Sequence, residues 1–246
     1  MKARIIYLFL SVLFFSGCTK TYLKQKEDFT HASLKENSES INAKVTIAEY
    51  KVKVNTETEK IIATSTEALL KDGEESTLGN FVCDALNHSS KQEFKNAAID
   101  LVIINRGGLR VNLPKGDIKV INIFELMPFE NELVLVKISG EKLLEGLETI
   151  LEKKHFFSGL RIKTENNKLL EATINNEKIE KTKNYTVLTS DYLANGGDNF
   201  IFLKDPIELQ KSNLKIRDGI INYCVFLTEN KKQIIPYKDG RFQISK

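Results

Sequence analysis

Histidine is scarce in this chain. Of 246 residues three are histidines, His31, His88 and His155, set in unrelated contexts and at no metal-ligand spacing. There is no His-Glu-x-x-His, Cys-x-x-Cys or Asp-x-His stretch, so metal-run chemistry by this chain alone is not expected, and no cofactor is assigned to it. A Gly-x-Ser-x-Gly elbow and a phosphate loop ending in Gly-Lys-Ser/Thr are also missing, which argues against a serine hydrolase and an ordinary NTPase. An excess of one charge is lacking: the net charge is +3, lysines and acids are mixed, and no basic patch is interleaved with aromatics. Nucleic acid is therefore not an expected partner. Cysteine is limited to Cys18, Cys83 and Cys224, and the last two sit in apolar, helix-like surroundings that suit free buried thiols better than a disulfide.

Long apolar runs are confined to one place. Lys2 and Arg4 precede an apolar stretch over residues 5–15, too short to cross a membrane and of the length of a signal peptide core. It ends in Phe15-Ser16-Gly17-Cys18, which resembles the bacterial lipobox, with Phe where Leu is usual. That resemblance implies residues 1–18 as a lipoprotein signal peptide and Cys18 as the lipidated residue, anchoring the chain to a membrane of the bacterial envelope, facing periplasm or exterior. An ordinary signal peptide with an incidental cysteine is the alternative. Residues 19–40 are polar and read as a tether, with His31 solvated in it, ahead of a folded domain over residues 41–246.

Within that domain strands and helices alternate, which predicts an α/β or α+β fold. Residues 44–56 fit either period. Residues 59–69 favour a strand, and Ser76 or Thr77 caps a helix with Leu78, Phe81, Val82, Ala85 and Leu86 on one face. His88 falls at the end of that helix, where capping is the default role. Residues 99–104 read as a buried strand, 133–138 as an alternating one, and Gly140 opens a helix carrying Leu143, Leu144 and Leu147. Strands are expected over 159–163, 169–174 and 185–190, a helix from Ile216 to Val225, and one last short strand near the end. His155 falls in a turn before a strand.

Two strands run directly into glycine loops. The first is Asn105-Arg106-Gly107-Gly108-Leu109-Arg110, the second Tyr192-Leu193-Ala194-Asn195-Gly196-Gly197-Asp198. Glycines allow a sharp turn and close approach of a ligand, and a planar amide beside planar cations suits phosphate, carboxylate or sugar hydroxyls. A plain turn is the competing reading of either loop. Pro128 ends any preceding helix and leaves Phe129 on a loop, as a local plug or as a stacking platform.

Three blocks in order resemble one family, the C-terminal, substrate-binding domain of 5'-nucleotidases. Glu75-Ser76-Thr77-Leu78-Gly79-Asn80 through Asp84-Ala85 is similar to its Glu-x-x-Leu-Gly-Asn-x-x-x-Asp-Ala. The 105–110 loop, followed by Met127-Pro128-Phe129-Glu130-Asn131, is similar to Asn-Gly-Gly-Gly-Ile-Arg and Leu-Pro-Phe-Gly-Asn, and the 192–198 loop matches aromatic-Leu-Ala-x-Gly-Gly-Asp. The resemblance implies a layered fold of mixed sheets with covering helices, and a nucleoside monophosphate or nucleoside as ligand. It implies that Asn105, Arg106, Gly107, Gly108 and Arg110 form one wall, that Phe129 and Tyr192 sandwich the base, and that Asp198 accepts ribose hydroxyls. Arg106 replaces a glycine of the family pattern, and Glu74 stands where an arginine is common. The family also carries a dinuclear metallophosphatase domain. The resemblance therefore implies divalent metals in a separate partner polypeptide, with this chain as the nucleotide-binding half of a split 5'-nucleotidase. A non-catalytic nucleotide- or nucleoside-binding envelope lipoprotein is the alternative, and a purely structural lipoprotein a third.

Overall fold

The computed structural model of the protein describes residues 47–245 except 49, 50, 52, 53 and 96. The expected signal peptide with Cys18, and the expected tether with His31, lie outside the described residues. In chain order the elements are β1 (Ile61–Ser65), α1 (Thr77–Glu93), β2 (Leu101–Ile104), β3 (Gly116–Lys119), α2 (Val120–Leu126), β4 (Glu132–Ser139), α3 (Gly140–Glu152), β5 (Phe156–Ser158), β6 (Leu160–Glu165), β7 (Lys168–Ile174), β8 (Glu177–Lys178), β9 (Asn184–Ser190), α4 (Asp191–Ala194), β10 (Glu208–Lys215), α5 (Ile216–Glu229) and β11 (Phe242–Ser245).

A five-stranded mixed sheet, ordered β10-β4-β9-β2-β5, divides two cores. In β2 every residue is buried: Val102 and Ile104 face one core, Leu101 and Ile103 the other. β4 does the same, with Leu133 and Leu135 against Val134 and Val136. A strand covered on both faces needs apolar residues at successive positions, which is why residues 101–104 read as an unbroken run. The first core is closed by apolar residues of α1, α2 and α5, including Leu78, Leu86, Ile123 and Ile220. The second is closed by Leu143, Leu147 and Ile150 of α3 and by Leu160, Ile162 and Ile174 of a four-stranded sheet ordered β11-β6-β7-β8. Each fully buried aliphatic side chain contributes about 1.5–3 kcal/mol. β1 and β3 form a separate antiparallel pair. The architecture is the expected α/β arrangement of mixed sheets with covering helices.

Local chemistry fixes the helix starts. Ser76 Oγ accepts the Gly79 N–H at 2.9 Å and Ser139 Oγ accepts that of Lys142 at 3.4 Å, each satisfying an amide with no intrahelical partner. Gly79 is needed for packing: a Cβ there would lie 2.2 Å from the Phe156 ring, so α1 could not approach β5. α1 runs on to Glu93, and His88 does not cap it; its ring packs on Tyr223 and Phe226 of α5, with centroids 5.1 and 4.1 Å away.

Other differences from expectation have physical causes. The first strand is shorter than residues 59–69, because the chain leaves the pair after Ser65 and Leu69 bridges Leu113 instead. The described residues 47, 48, 51 and 54–58 are helical. Gly159, at φ +76, separates β5 from β6, so the expected 159–163 strand begins at Leu160, and a Cβ on Gly159 would lie 2.2 Å from the Asp100 carbonyl oxygen. β3, β8 and β10 were not evident from periodicity, being short or largely exposed. Cys83 and Cys224 are buried free thiols in the first core, and burial pushes the Cys224 thiol up to about 12.

Candidate functional site

The sheet register brings three loops to one edge. β2 and β9 run parallel, with Leu101 opposite Val187, so both glycine loops leave the same edge side by side. β4 is antiparallel to β9, with Leu133 opposite Ser190, so the segment entering β4, Phe129 to Asn131, starts at that edge too. Carboxyl ends of adjacent parallel strands are where α/β sheets commonly hold ligands.

Each loop is tied down. After Ile104 the chain makes one 3-10 turn over Arg106–Gly108, with Gly108 N donating to Asn105 O at 3.1 Å. Gly108 leaves room for the Asn105 amide, whose oxygen would lie 2.8 Å from a Cβ. Arg110 N donates to Leu126 O at 2.9 Å, joining the loop to the end of α2. In the second loop Ser190 Oγ accepts the Leu193 N–H at 3.1 Å, and Gly196, Asp198 and Asn199 take left-handed φ angles of 89°, 50° and 69°. A Cβ on Gly197 would lie 2.4 Å from the Tyr192 ring, so the ring is held against bare backbone. Asp191 links loop to strand: its Oδ1 accepts from Asn131 Nδ2 at 3.0 Å, Glu132 N at 3.2 Å and Tyr192 N at 2.7 Å.

Asp198 is the hub. Its Oδ2 accepts from Asn105 Nδ2 at 2.5 Å and its Oδ1 from the Tyr192 hydroxyl at 2.9 Å, while its own N–H donates to that hydroxyl oxygen at 3.2 Å. The carboxylate raises the Tyr192 phenol pKa through that hydrogen bond. A carboxylate has about four acceptor positions, so two remain for a ligand. Around it lies a cleft of about 320 Å³ lined by Asn105, Gly107, Gly108, Arg110, Phe129 and Tyr192, with Met127, Asn131, Ser190, Asp198 and Ile216. That is the low end of small-ligand sites. Phe129 and Tyr192 are 42 % and 44 % exposed, and no ring contact joins them among the described residues. Two unsatisfied aromatic faces beside paired polar groups suit a flat, polar-edged ligand. Arg110 has no carboxylate partner among the described residues; its Nη1 donates to Gly107 O at 3.3 Å. A larger groove of about 700 Å³ between α3 and β11 is lined by Leu144, Leu147, Leu151, Phe242 and Ile244, and of its charged residues Glu74 and Lys154 pair with each other.

Seven of the eight residues expected at the site line this cleft; Arg106 does not. Its guanidinium turns away and donates to Lys71 O at 2.8 Å, Gly73 O at 3.3 Å and Lys154 O at 3.4 Å, with the Phe156 ring 5.3 Å from its carbon. Three carbonyls and an aromatic face engage this planar cation away from the cleft, so it fastens the loop from behind. Glu74 is likewise turned to Lys154 rather than to the cleft. The first block, Glu75 to Asp84, also serves structure. Asn80 Nδ2 donates to Glu75 Oε1 at 2.9 Å, Glu75 accepts the Asp239 N–H at 2.7 Å, and Asp84 holds Arg241 and the Tyr237 hydroxyl.

Sequence reasoning missed Glu130 and His155. Glu130 Oε1 accepts from the buried Arg217 at 2.5 Å, and its other oxygen pairs with Lys215, next to Phe129. Hydrogen bonds from Lys215 and then Arg217 bring its carboxyl down to about 2. His155 lies beneath the first loop and accepts the Arg106 N–H on Nδ1 at 3.1 Å. Neither signal is local, because each pair is more than 45 residues apart in the chain. His88 is packed between rings, His155 spends Nδ1 on a backbone amide, and among the described residues no three His, Cys, Asp or Glu side chains converge.

The family model described as "5'-nucleotidase, C-terminal domain" matches residues 51–205. Among curated proteins, the chain is 26% identical over 214 residues to an apyrase of Tabanus yao, covering 75% of this chain and 38% of that one. It is 28% identical over 189 residues to a trifunctional nucleotide phosphoesterase of Bacillus subtilis, covering 69% of this chain and 12% of that protein. Among solved structures, a 5'-nucleotidase precursor from Thermus thermophilus superposes with a TM-score of 0.70 at 24% identity, covering 82% of this chain and 43% of that one. The chain thus spans less than half the length of these relatives.

Proposed function

This chain belongs to the 5'-nucleotidase C-terminal domain family, and from that premise we propose that it is the nucleotide-binding half of a split 5'-nucleotidase, presenting nucleoside monophosphates to a metallophosphatase on a separate polypeptide. One observation carries the reading: Phe129, Tyr192, Asn105, Arg110 and Asp198, from three separate loops, line a single cleft. In it the base stacks on the two exposed rings, the ribose hydroxyls donate to the open lone pairs of Asp198, and the Arg110 guanidinium meets the phosphate. On this reading the chain's own residues bind and orient, and the dinuclear metal site that hydrolysis requires belongs to the partner polypeptide.

The test mixes the full chain with a dinuclear metallophosphatase chain and measures phosphate release from AMP. A rate well above that of either chain alone supports the split enzyme; no gain contradicts it. One observation favours a second reading, a non-catalytic nucleoside-binding protein. Glu74, where an arginine is common in the family, pairs with Lys154 instead of offering a cation to phosphate. On that reading adenosine binds as tightly as AMP. We further propose that Cys18 carries the lipid that holds the chain in the bacterial envelope, so that Cys18→Ser releases it from the membrane fraction; retention there would contradict the anchor.

A further inference from the structure

The structure assigns His155 as the residue that positions both ligand loops from behind, an assignment whose functional meaning rests on the nucleotide-binding reading above. The register dictates its place. β5 pairs antiparallel with β2, Ile104 opposite Phe156, so the residue before Phe156 comes to lie beside the residues after Ile104. There Nδ1 of His155 accepts the N–H of Arg106, the first residue of the 3-10 turn that carries Gly107 and Gly108. The other face of the imidazole meets the second loop: its centroid is 4.7 Å from that of Phe200, two residues beyond Asp198. Phe200 is fully buried and its N–H donates to Gly197 O at 3.0 Å, so the ring is rigidly coupled to the Gly197–Asn199 turn. One side chain therefore touches the backbone of one loop and the anchor of the other, without lining the cleft.

The chemistry requires a particular form of the ring. Accepting on Nδ1 places the only proton of the neutral imidazole on Nε2. That Nε2–H is buried and unpartnered among the described residues, in a side chain only 5 % exposed. Buried polar groups are nearly always paired, and here Nδ1 is what pairs the Arg106 amide. A leucine would fill the volume but could not hold that amide. The charged groups facing the imidazole are Asp198, which favours its protonation, and Lys153 and Arg106, which oppose it; burial outweighs them and holds the pKa down to about 4. The ring thus stays an acceptor throughout the neutral range. Protonated, it would turn a second N–H toward the Arg106 N–H and push the loop away.

Amide hydrogen exchange on the full chain decides the matter, with His155→Leu and His155→Asn compared to the natural protein. The Asn amide oxygen falls near the position of Nδ1, so it restores the acceptor but not the contact with Phe200. In His155→Leu exchange at Arg106–Gly108 and at Asp198–Phe200 quickens at least tenfold relative to α1 and α5. In His155→Asn the first segment stays protected and only the second quickens, a split that general loss of stability does not produce. Should His155→Leu fail to fold, His155→Asn decides alone. Unchanged exchange in both segments, or a rise spread equally over α1 and α5, overturns the assignment. AMP titration runs alongside: tenfold weaker binding is expected for His155→Leu and less than threefold for His155→Asn. Absence of AMP binding to the natural protein would instead contradict the nucleotide reading, while exchange would still judge His155.

Discussion

Arg106 and Arg110 stand four positions apart and have opposite tasks. The Arg106 guanidinium is held by the carbonyls of Lys71, Gly73 and Lys154, whereas among the described residues that of Arg110 meets Gly107 O and lines the cleft. Arg106→Ala strands those contacts and is expected to cost about 1–3 kcal/mol of stability, read as a lowered midpoint in urea. Arg110→Ala is expected to leave the midpoint within about 0.5 kcal/mol and to weaken AMP by roughly tenfold while sparing adenosine, read by calorimetry. The sequence made Arg106 look like a ligand because a cation in a glycine loop looks the same whichever way it points. Its direction is decided by Phe156 and by the 71–73 and 154 carbonyls, which lie far away in the chain. Asn105, Phe129, Tyr192 and Asp198 were legible because each sits within a short, glycine- or proline-marked motif whose chemistry is local.

At the scale of elements, Glu130 clamps the segment carrying Phe129 to the start of α5. It pairs with Lys215 and with Arg217, whose guanidinium carbon also lies 4.1 Å from the Phe124 ring centroid. The carboxyl titrates near 2 when folded, below its ordinary value of 4.5. A depressed carboxyl stabilises the fold above its unfolded pKa, and that contribution is lost as pH falls from about 4.5 toward 2. Glu130→Gln is therefore expected to lower the melting temperature at pH 6 and to flatten its acid dependence within that window. Because Glu130 is solvent-exposed, the difference from the natural protein should shrink in 1 M salt; thermal melts against pH and salt check both. Elements with a full amphipathic or two-sided apolar pattern, such as α1, α3 and β2, were readable from period alone. β10 was not, since most of its residues are exposed and its place at the sheet edge is set by pairing with β4. β5 was not, since three residues carry no period and Gly159 conceals the break.

For the molecule as a whole, the last residues lock the fold. The Arg241 guanidinium reaches Asp239 at 2.9 Å, Asp84 at 3.2 Å and Phe157 O at 3.1 Å, joining the tail to α1 and β5. Arg241→Ala leaves Asp84 without its cation and Asp239 with only Arg161, 3.9 Å away, and is expected to cost about 2–4 kcal/mol, seen as a lower denaturation midpoint with an unchanged slope. The same network explains why Glu75, Asn80 and Asp84 form a recognisable block yet lie outside the cleft. The proposed nucleotide site lies where three loops meet at the carboxyl ends of β2 and β9. Its most direct test is calorimetric titration of AMP into the full chain and into Phe129→Ala and Tyr192→Ala. Removing one stacking face is worth about 1–3 kcal/mol. The account predicts saturable binding of one AMP per chain, weakened roughly 5- to 150-fold by each substitution. No saturable binding, or an affinity unmoved by both substitutions, would contradict it.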